Sequence, residues 1–200
     1  EVVVQTNNGT SESITINIDP DAAVVDSVSV VPGAAELVAD GTSSTTLRAT
    51  VLDTAGNPAV GKTVKFTTTA GILSGGDISA DEATTDENGI AEVTLTSTTK
   101  TGTVTVRAES DGFTGSTDVI FIGGPVATIL LRAAPATVNP DGDFTVTADV
   151  MDANNNQLAG QTVTFVVYEA GDTTTPLTTL IRTTDADGFA SAGFSAIYGK

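Results

Sequence analysis

The chain repeats itself. Residues 51–66, VLDTAGNPAVGKTVKF, recur as residues 150–165, VMDANNNQLAGQTVTF, at an offset of 99 residues. The same offset carries TTDENG at residues 84–89 onto TTDADG at residues 183–188. Two separated segments with one offset are copies of one structural unit, so each copy must close around a core of its own within roughly a hundred residues. The phase of the repeat matters as much as its period. The first copy runs on through TVTVRA at 103–108 and DVIFI at 118–122, whereas the second reaches Lys200 before either stretch. Residues 1–20 have the pattern of those two missing strands: Glu1 to Gln5, a turn at Asn7, Asn8 and Gly9, then Ser13 to Ile18. The expected organisation is a terminal hairpin and linker at 1–24 that completes a domain of the neighbouring period, a complete domain at 25–124, and a domain at 125–200 that lacks its last two strands.

Within each copy, apolar and polar residues alternate, which places every second side chain on one face of a strand. Leu47, Ala49 and Val51 share a face, as do Val64 and Phe66, Val93 and Leu95, and Val104, Val106 and Ala108. The second copy matches with Phe144, Val146, Ala148 and Val150, then Val163 and Phe165, then Ala190, Ala192 and Phe194. Thr and Lys at the alternate positions face water. Strands with one wet face belong to antiparallel sheets packed in pairs, so the fold is expected to be all-β, made of tandem antiparallel β-sandwiches. The links at Asp19–Asp26 and Gly123–Pro125 are short and contain Pro or Gly, which favours an end-to-end rod over floppy tethering.

Turn chemistry punctuates the strands. Asp53 to Pro58 and Asp152 to Gln157 recur, as do Asp86 to Gly89 and Asp185 to Gly188, with Asp40-Gly41 and Asp141-Gly142 ahead of the preceding strand. Asp and Asn bond the backbone that follows them, and Gly or Asn accepts positive φ. A calcium loop of the EF-hand type needs oxygen ligands at alternate positions over about twelve residues with a closing Glu, and neither turn supplies them. These aspartates are read as turn residues, and no metal or other cofactor is expected.

The chain has no Cys and no His, which removes disulfides, Cys/His zinc sites, thiol nucleophiles and every His-dependent triad. Asp86 and Glu87 are adjacent carboxylates that acid–base chemistry could use, yet they sit in a turn without a cleft, so no catalytic residue is assigned and the chain is read as non-enzymatic. A net charge of −17 with only eight Lys and Arg excludes a phosphate-binding surface, hence no nucleic acid and no anionic lipid. No stretch reaches the eighteen or so apolar residues of a membrane span, and no charged-then-apolar leader opens the chain, which reads as mature or excised. Asn8 begins the Asn-Gly-Thr glycosylation sequon, but Asn-Gly is also the strongest short hairpin signal and falls where a hairpin is expected. Lys62, Lys65 and Lys100 raise the idea of isopeptide bracing; Lys65 alternates with Val64 and Phe66 and should point to water.

The residues that carry a family resemblance are Ala39 to Asp53 (ADGTSSTTLRATVLD), Gly56-Asn57-Pro58 with Val60-Gly61, Val64-Lys65-Phe66, and TTDENGIA at 84–91. Together they resemble the bacterial immunoglobulin-like domains of the invasin and intimin type, over essentially all of residues 27–108. The second copy departs from the pattern at Asn155-Asn156-Gln157 and at residues 140–143. The resemblance implies immunoglobulin-like sandwiches in an extracellular, cell-surface array used as a stalk, and implies no enzyme activity.

Function then turns on the phase of the repeat. An isolated hairpin is marginal and an incomplete sandwich exposes edges and core, so the two should meet. The residues expected to pack across that joint are Val2, Val4, Ile14, Ile16 and Ile18 from the hairpin, and Phe144, Val146, Phe165 and Phe194 from the truncated domain. Identical copies joined head-to-tail non-covalently, by β-strand addition, and one period of a covalent array both satisfy this. The expected function is a structural subunit or repeat of an extracellular filament or stalk that gives reach and surface attachment. The alternative is an adhesin module that binds a host receptor or glycan through second-domain loops, with Glu169 to Leu177 the least repeat-like segment. Glycan stacking needs exposed aromatic rings, and the chain has no Trp and only Tyr168 and Tyr198 as tyrosines.

Overall fold

The structure is a computed structural model and describes residues 2–5, 11–14, 24–74, 80–139, 141–169, 171 and 173–196. Every regular element among them is a strand. In chain order these are β1 (Val2–Gln5), β2 (Ser11–Ile14), β3 (Val25–Pro32), β4 (Glu36–Val38), β5 (Ser44–Asp53), β6 (Thr63–Thr68), β7 (Ile72–Leu73), β8 (Ala80–Thr84), β9 (Ile90–Thr96), β10 (Gly102–Ser110), β11 (Phe113–Ile122), β12 (Val126–Ala134), β13 (Asp143–Asp152), β14 (Thr162–Tyr168), β15 (Pro176–Thr183) and β16 (Phe189–Ser195).

The alternation read from the sequence is the alternation observed. Along β5, Leu47, Ala49 and Val51 are buried while Thr46 and Arg48 are exposed, because a pleated strand turns successive side chains to opposite faces. The first repeat forms a four-stranded sheet in the order β3-β5-β9-β7 and a five-stranded sheet in the order β4-β11-β10-β6-β8. In the first, Val28 pairs with Val51, and Leu47 and Ala49 pair with Val93 and Ala91. In the second, Phe66 pairs with Ala108 on one side and Asp81 on the other. Leu47, Val51, Val64, Phe66, Val93, Leu95, Val104 and Val106 are all buried, joined by Leu73, Val119 and Phe121, which alternation over long runs did not single out. Gly115 shows how close the packing is. A Cβ there would stand 2.6 Å from the carbonyl oxygen of Val28, so β11 runs against β3 at a distance that admits no side chain.

The second repeat builds a three-stranded sheet, β12-β13-β16, and a two-stranded sheet, β14-β15. Its core is Ala148, Val150, Leu158, Val163, Phe165, Ala190 and Ala192, with Val146, Leu180 and Phe194 packed against it. The copies share detail below the level of strands. Buried Thr85 takes the amide of Lys62 at 2.8 Å and donates to the Ala59 carbonyl at 2.6 Å; buried Thr184 takes Gln161 and donates to Leu158 at the same distances. Each threonine satisfies two backbone groups that the turn would otherwise bury unpaired.

By packing, the chain divides into two compact units. One holds Glu1–Ala35, Ser44–Thr96 and Val104–Val119; the other holds Glu36–Ser43, Ser97–Thr103 and Ile120–Lys200. Residues 36–43, 97–103 and 120–122, encoded in the first repeat, thus belong to the compact unit of the second.

Candidate functional site

The turn aspartates Asp40, Asp53, Asp86 and Asp185 do backbone work. Asp53 Oδ1 accepts the amides of Ala55 and Asn57 at 2.9 and 2.8 Å, and Asp86 Oδ1 accepts those of Asn88 and Ile90, both at 2.9 Å. Asp185 repeats the Asp86 pattern with Asp187 and Phe189 at 3.0 and 2.9 Å. Asp40 takes the amides of Thr42 and Ser43 and the Ser43 hydroxyl. Amides that point at a carboxylate favour its charged form. The Ser43 and Thr42 amides hold the Asp40 carboxyl far below the usual range, the Asn57 amide lowers Asp53, and the Ile90 amide, with Arg48 nearby, lowers Asp86. A carboxylate so fixed is a poor proton donor at neutral pH, which argues against acid–base work at Asp86. The same bonding satisfies the turns without a cation, so a chelator is expected to leave the melting curve unchanged. A fall of many degrees with EDTA that calcium reverses would overturn this assignment, because a ligand stabilises the state that binds it.

Lys65 is exposed, and Lys62 lies 3.5 Å from Asp111 as an ion pair. Tyr168 is exposed on β14, and Tyr198 is outside the described residues.

Asp152 occupies the position of Asp53 but is buried. It accepts the amides of Asn154 and Asn156 at 2.8 and 2.9 Å, the Asn156 side-chain amide at 2.8 Å and the amide of Gly124 at 3.0 Å. Burial raises its pKa, yet the four donors outweigh it and the net shift is downward. Asn156, also buried, donates to the Thr99 carbonyl at 3.0 Å and accepts the Thr101 amide at 3.4 Å, while Asn154 donates to the Ala39 carbonyl at 3.1 Å. All these residues lie in one compact unit. The sequence marked the Asp152 turn as a turn; nothing local to it announced these partners.

The second repeat is open where the first is closed. β6 is flanked by β8 and β10, whereas β14, its counterpart, pairs with β15 alone among the described strands. Ile129 pairs with Val150 as Val28 does with Val51, and Leu131 with Ala148 as Val30 does with Ala49. Val28 and Val30 are 8 % and 5 % exposed, but Ile129 and Leu131 are 52 % and 65 % exposed. These two residues were not picked out from sequence, because the copies diverge there and no shared motif marks the position. Of those that were, Phe144 and Phe194 are cross-strand partners with ring centroids 5.6 Å apart, and Phe165 lies 6.4 Å from Phe194. Phe165 is buried in the unit's own core and Val146 packs against that core, so neither is uncovered; the exposed apolar side chains include Ile129 and Leu131 on β12, Val166 on β14 and Leu177 and Ile181 on β15.

At the other end of the chain, β1 and β2 pair antiparallel as a separate two-stranded sheet, with Val2 opposite Ile14 and Val4 opposite Glu12. The second strand begins at Ser11, two residues earlier than expected. Asn8, Ile16 and Ile18 lie outside the described residues, as do the side chains of Val2, Val4 and Ile14.

Comparison with known proteins agrees with this architecture. Residues 27–122 match the model of the bacterial Ig-like domain, group 1. The inverse autotransporter adhesin YeeJ of Escherichia coli K12 is 33 % identical over 195 residues, which is 94 % of this chain and 8 % of that protein. Among solved structures, Yersinia pseudotuberculosis InvD superposes with a TM-score of 0.60 at 22 % identity, covering 84 % of this chain and 48 % of that one. The Escherichia coli adhesin FdeC gives 0.55 at 20 % identity, covering 86 % and 57 %. These two likenesses concern the fold. With the all-β strands and the match over residues 27–122, this part of the chain belongs to the group 1 bacterial immunoglobulin-like domain family.

Proposed function

We propose that this chain is a non-enzymatic structural segment of an extracellular, cell-surface stalk, whose open second sandwich is completed head-to-tail by a strand pair of the type formed by Val2–Gln5 and Ser11–Ile14. The observation that carries the reading is the contrast at matched register: Val28 and Val30 are buried, and Ile129 and Leu131 are more than half exposed. Covering two such side chains is worth about 1.5–3 kcal/mol each before ordering costs, and pairing β14 along its open edge adds backbone bonds. The surface location and the attachment role draw support from the adhesin relative, of which this chain spans 8 %. That share also favours a covalent array of repeats over exchange between separate 20.1 kDa chains.

The test moves residues 1–23 from the front of the chain to follow Lys200. The rearranged protein is expected to melt at a higher temperature, with backbone amides of β12 and β14 slower to exchange, because the hairpin now follows the domain it completes. Unchanged melting and unchanged exchange on both strands would sink the reading. Intact mass of the native material under denaturing conditions separates the array from the exchanging subunit.

A further inference from the structure

The Asp152 turn and the Asp53 turn are built alike. Asp53 N bonds the Asn57 carbonyl at 2.9 Å and Asp152 N bonds that of Asn156 at 3.0 Å; Gly56 and Asn155 both take positive φ, at 79° and 59°. In each, the Asn amide and side-chain amide return to the Asp carboxylate, at 2.8 and 3.4 Å in the first and 2.9 and 2.8 Å in the second. Their surroundings differ. Asn156 is buried and spends its remaining donor and acceptor on Thr99 and Thr101, two residues apart on one loop; Asn57 is exposed, and its described bonds stay within its own turn. Asn154, which reaches the Ala39 carbonyl, is replaced at the first turn by Ala55.

We infer that the Asp53–Asn57 turn is the docking face for the end loop of a further immunoglobulin-like repeat placed ahead of the first, which offers a carbonyl and an amide as Thr99 and Thr101 do. The argument for that partner is internal. One copy of the turn has such a loop bound, and the other holds the same side chains, already oriented by the same carboxylate, toward solvent. An Asn side chain that already leans on the carboxylate, at 3.4 Å, has less rotamer freedom to lose on contact, which lowers the cost of forming the joint. Because Ala55 cannot make the Asn154 bond, this joint is the weaker of the two.

The inference rests on the tandem reading, and a direct fusion of two copies of the 200-residue chain tests the two separately. In the single chain Asn57→Ala is expected to change the melting temperature little. In the fusion, Asn57→Ala in the second copy should lower it by about 4–8 °C, and the same change in the first copy should not. In the unsubstituted fusion, the second copy's Asn57 side-chain amide should exchange more slowly than the first copy's, a readout that needs no variant. Equal small effects in both copies together with equal exchange overturn the docking face. Protection of β12 and β14 in the first copy reports sandwich completion independently, so a failed joint with protected strands leaves the tandem reading standing.

Discussion

Phe66→Ala is expected to remove most of the stability of the first unit. Phe66 is fully buried on β6, between Ala108 and Asp81 in register, in a repeat where Val64 and Val106 of the same sheet and Leu47 of the other are buried as completely. Truncating a buried Phe removes transfer free energy and leaves a cavity that close-packed neighbours fill poorly, at a cost of about 3–5 kcal/mol. Domains of this size are held by only about 5–15 kcal/mol in total, so the thermal transition of this unit should move down by tens of degrees or be lost. Phe165→Ala, at the matching position, should cost less. Phe165 is 6 % exposed in a core whose second sheet has two strands, and a site open on one side collapses more readily. Lys65→Ala, one residue away on the wet face, should fall within about 0.5 kcal/mol of the parent. Melting curves for the three variants check the order; an unchanged curve for Phe66→Ala would falsify the fold.

The second large effect is expected at Asp152→Ala. Loss of the carboxylate leaves the amides of Gly124, Asn154 and Asn156 without their acceptor, and it also releases the Asn156 side chain. Each buried donor left unpaired costs about 1–3 kcal/mol, and with relaxation the whole change should reach roughly 3 kcal/mol. The pH dependence has a definite sign. Asp152 has a lowered pKa in the folded chain, so the unfolded chain takes up the proton first, at about pH 3.9. Its stabilising contribution is complete above that value and is lost as pH falls through the folded pKa. The gap in melting temperature between the parent and Asp152→Ala should therefore be constant from neutral pH to about pH 5 and narrow below about pH 4. A gap that stayed constant down to pH 2 would show that the carboxylate's charge is not what holds these amides.

The all-β class, the positions of most strands and the turn role of Asp53, Asp86, Asp152 and Asp185 were legible in the sequence because each rests on local physics. Alternation with period two reports which face of a strand meets the core, and an Asp two and four residues ahead of a free amide closes a turn whatever surrounds it. The repeat offset added long-range information, since it equated β6 with β14 and β9 with β16 before any contact was known. What the tertiary structure decided are the features in which two similar sequences have different neighbours. Glu36–Val38 is too short for periodicity to speak, and it becomes a strand through parallel pairing with Ile120–Ile122, far along the chain. Val30 and Leu131 are both apolar strand residues opposite an alanine, yet one is buried and the other open, because burial depends on whether a second sheet covers the first. Asp53 and Asp152 close the same turn, but only Asp152 gathers Gly124 and, through Asn156, the loop at Thr99. A side chain's own neighbours in sequence set its local geometry; whether its remaining hydrogen-bonding capacity meets water or backbone is set by what the fold brings against it.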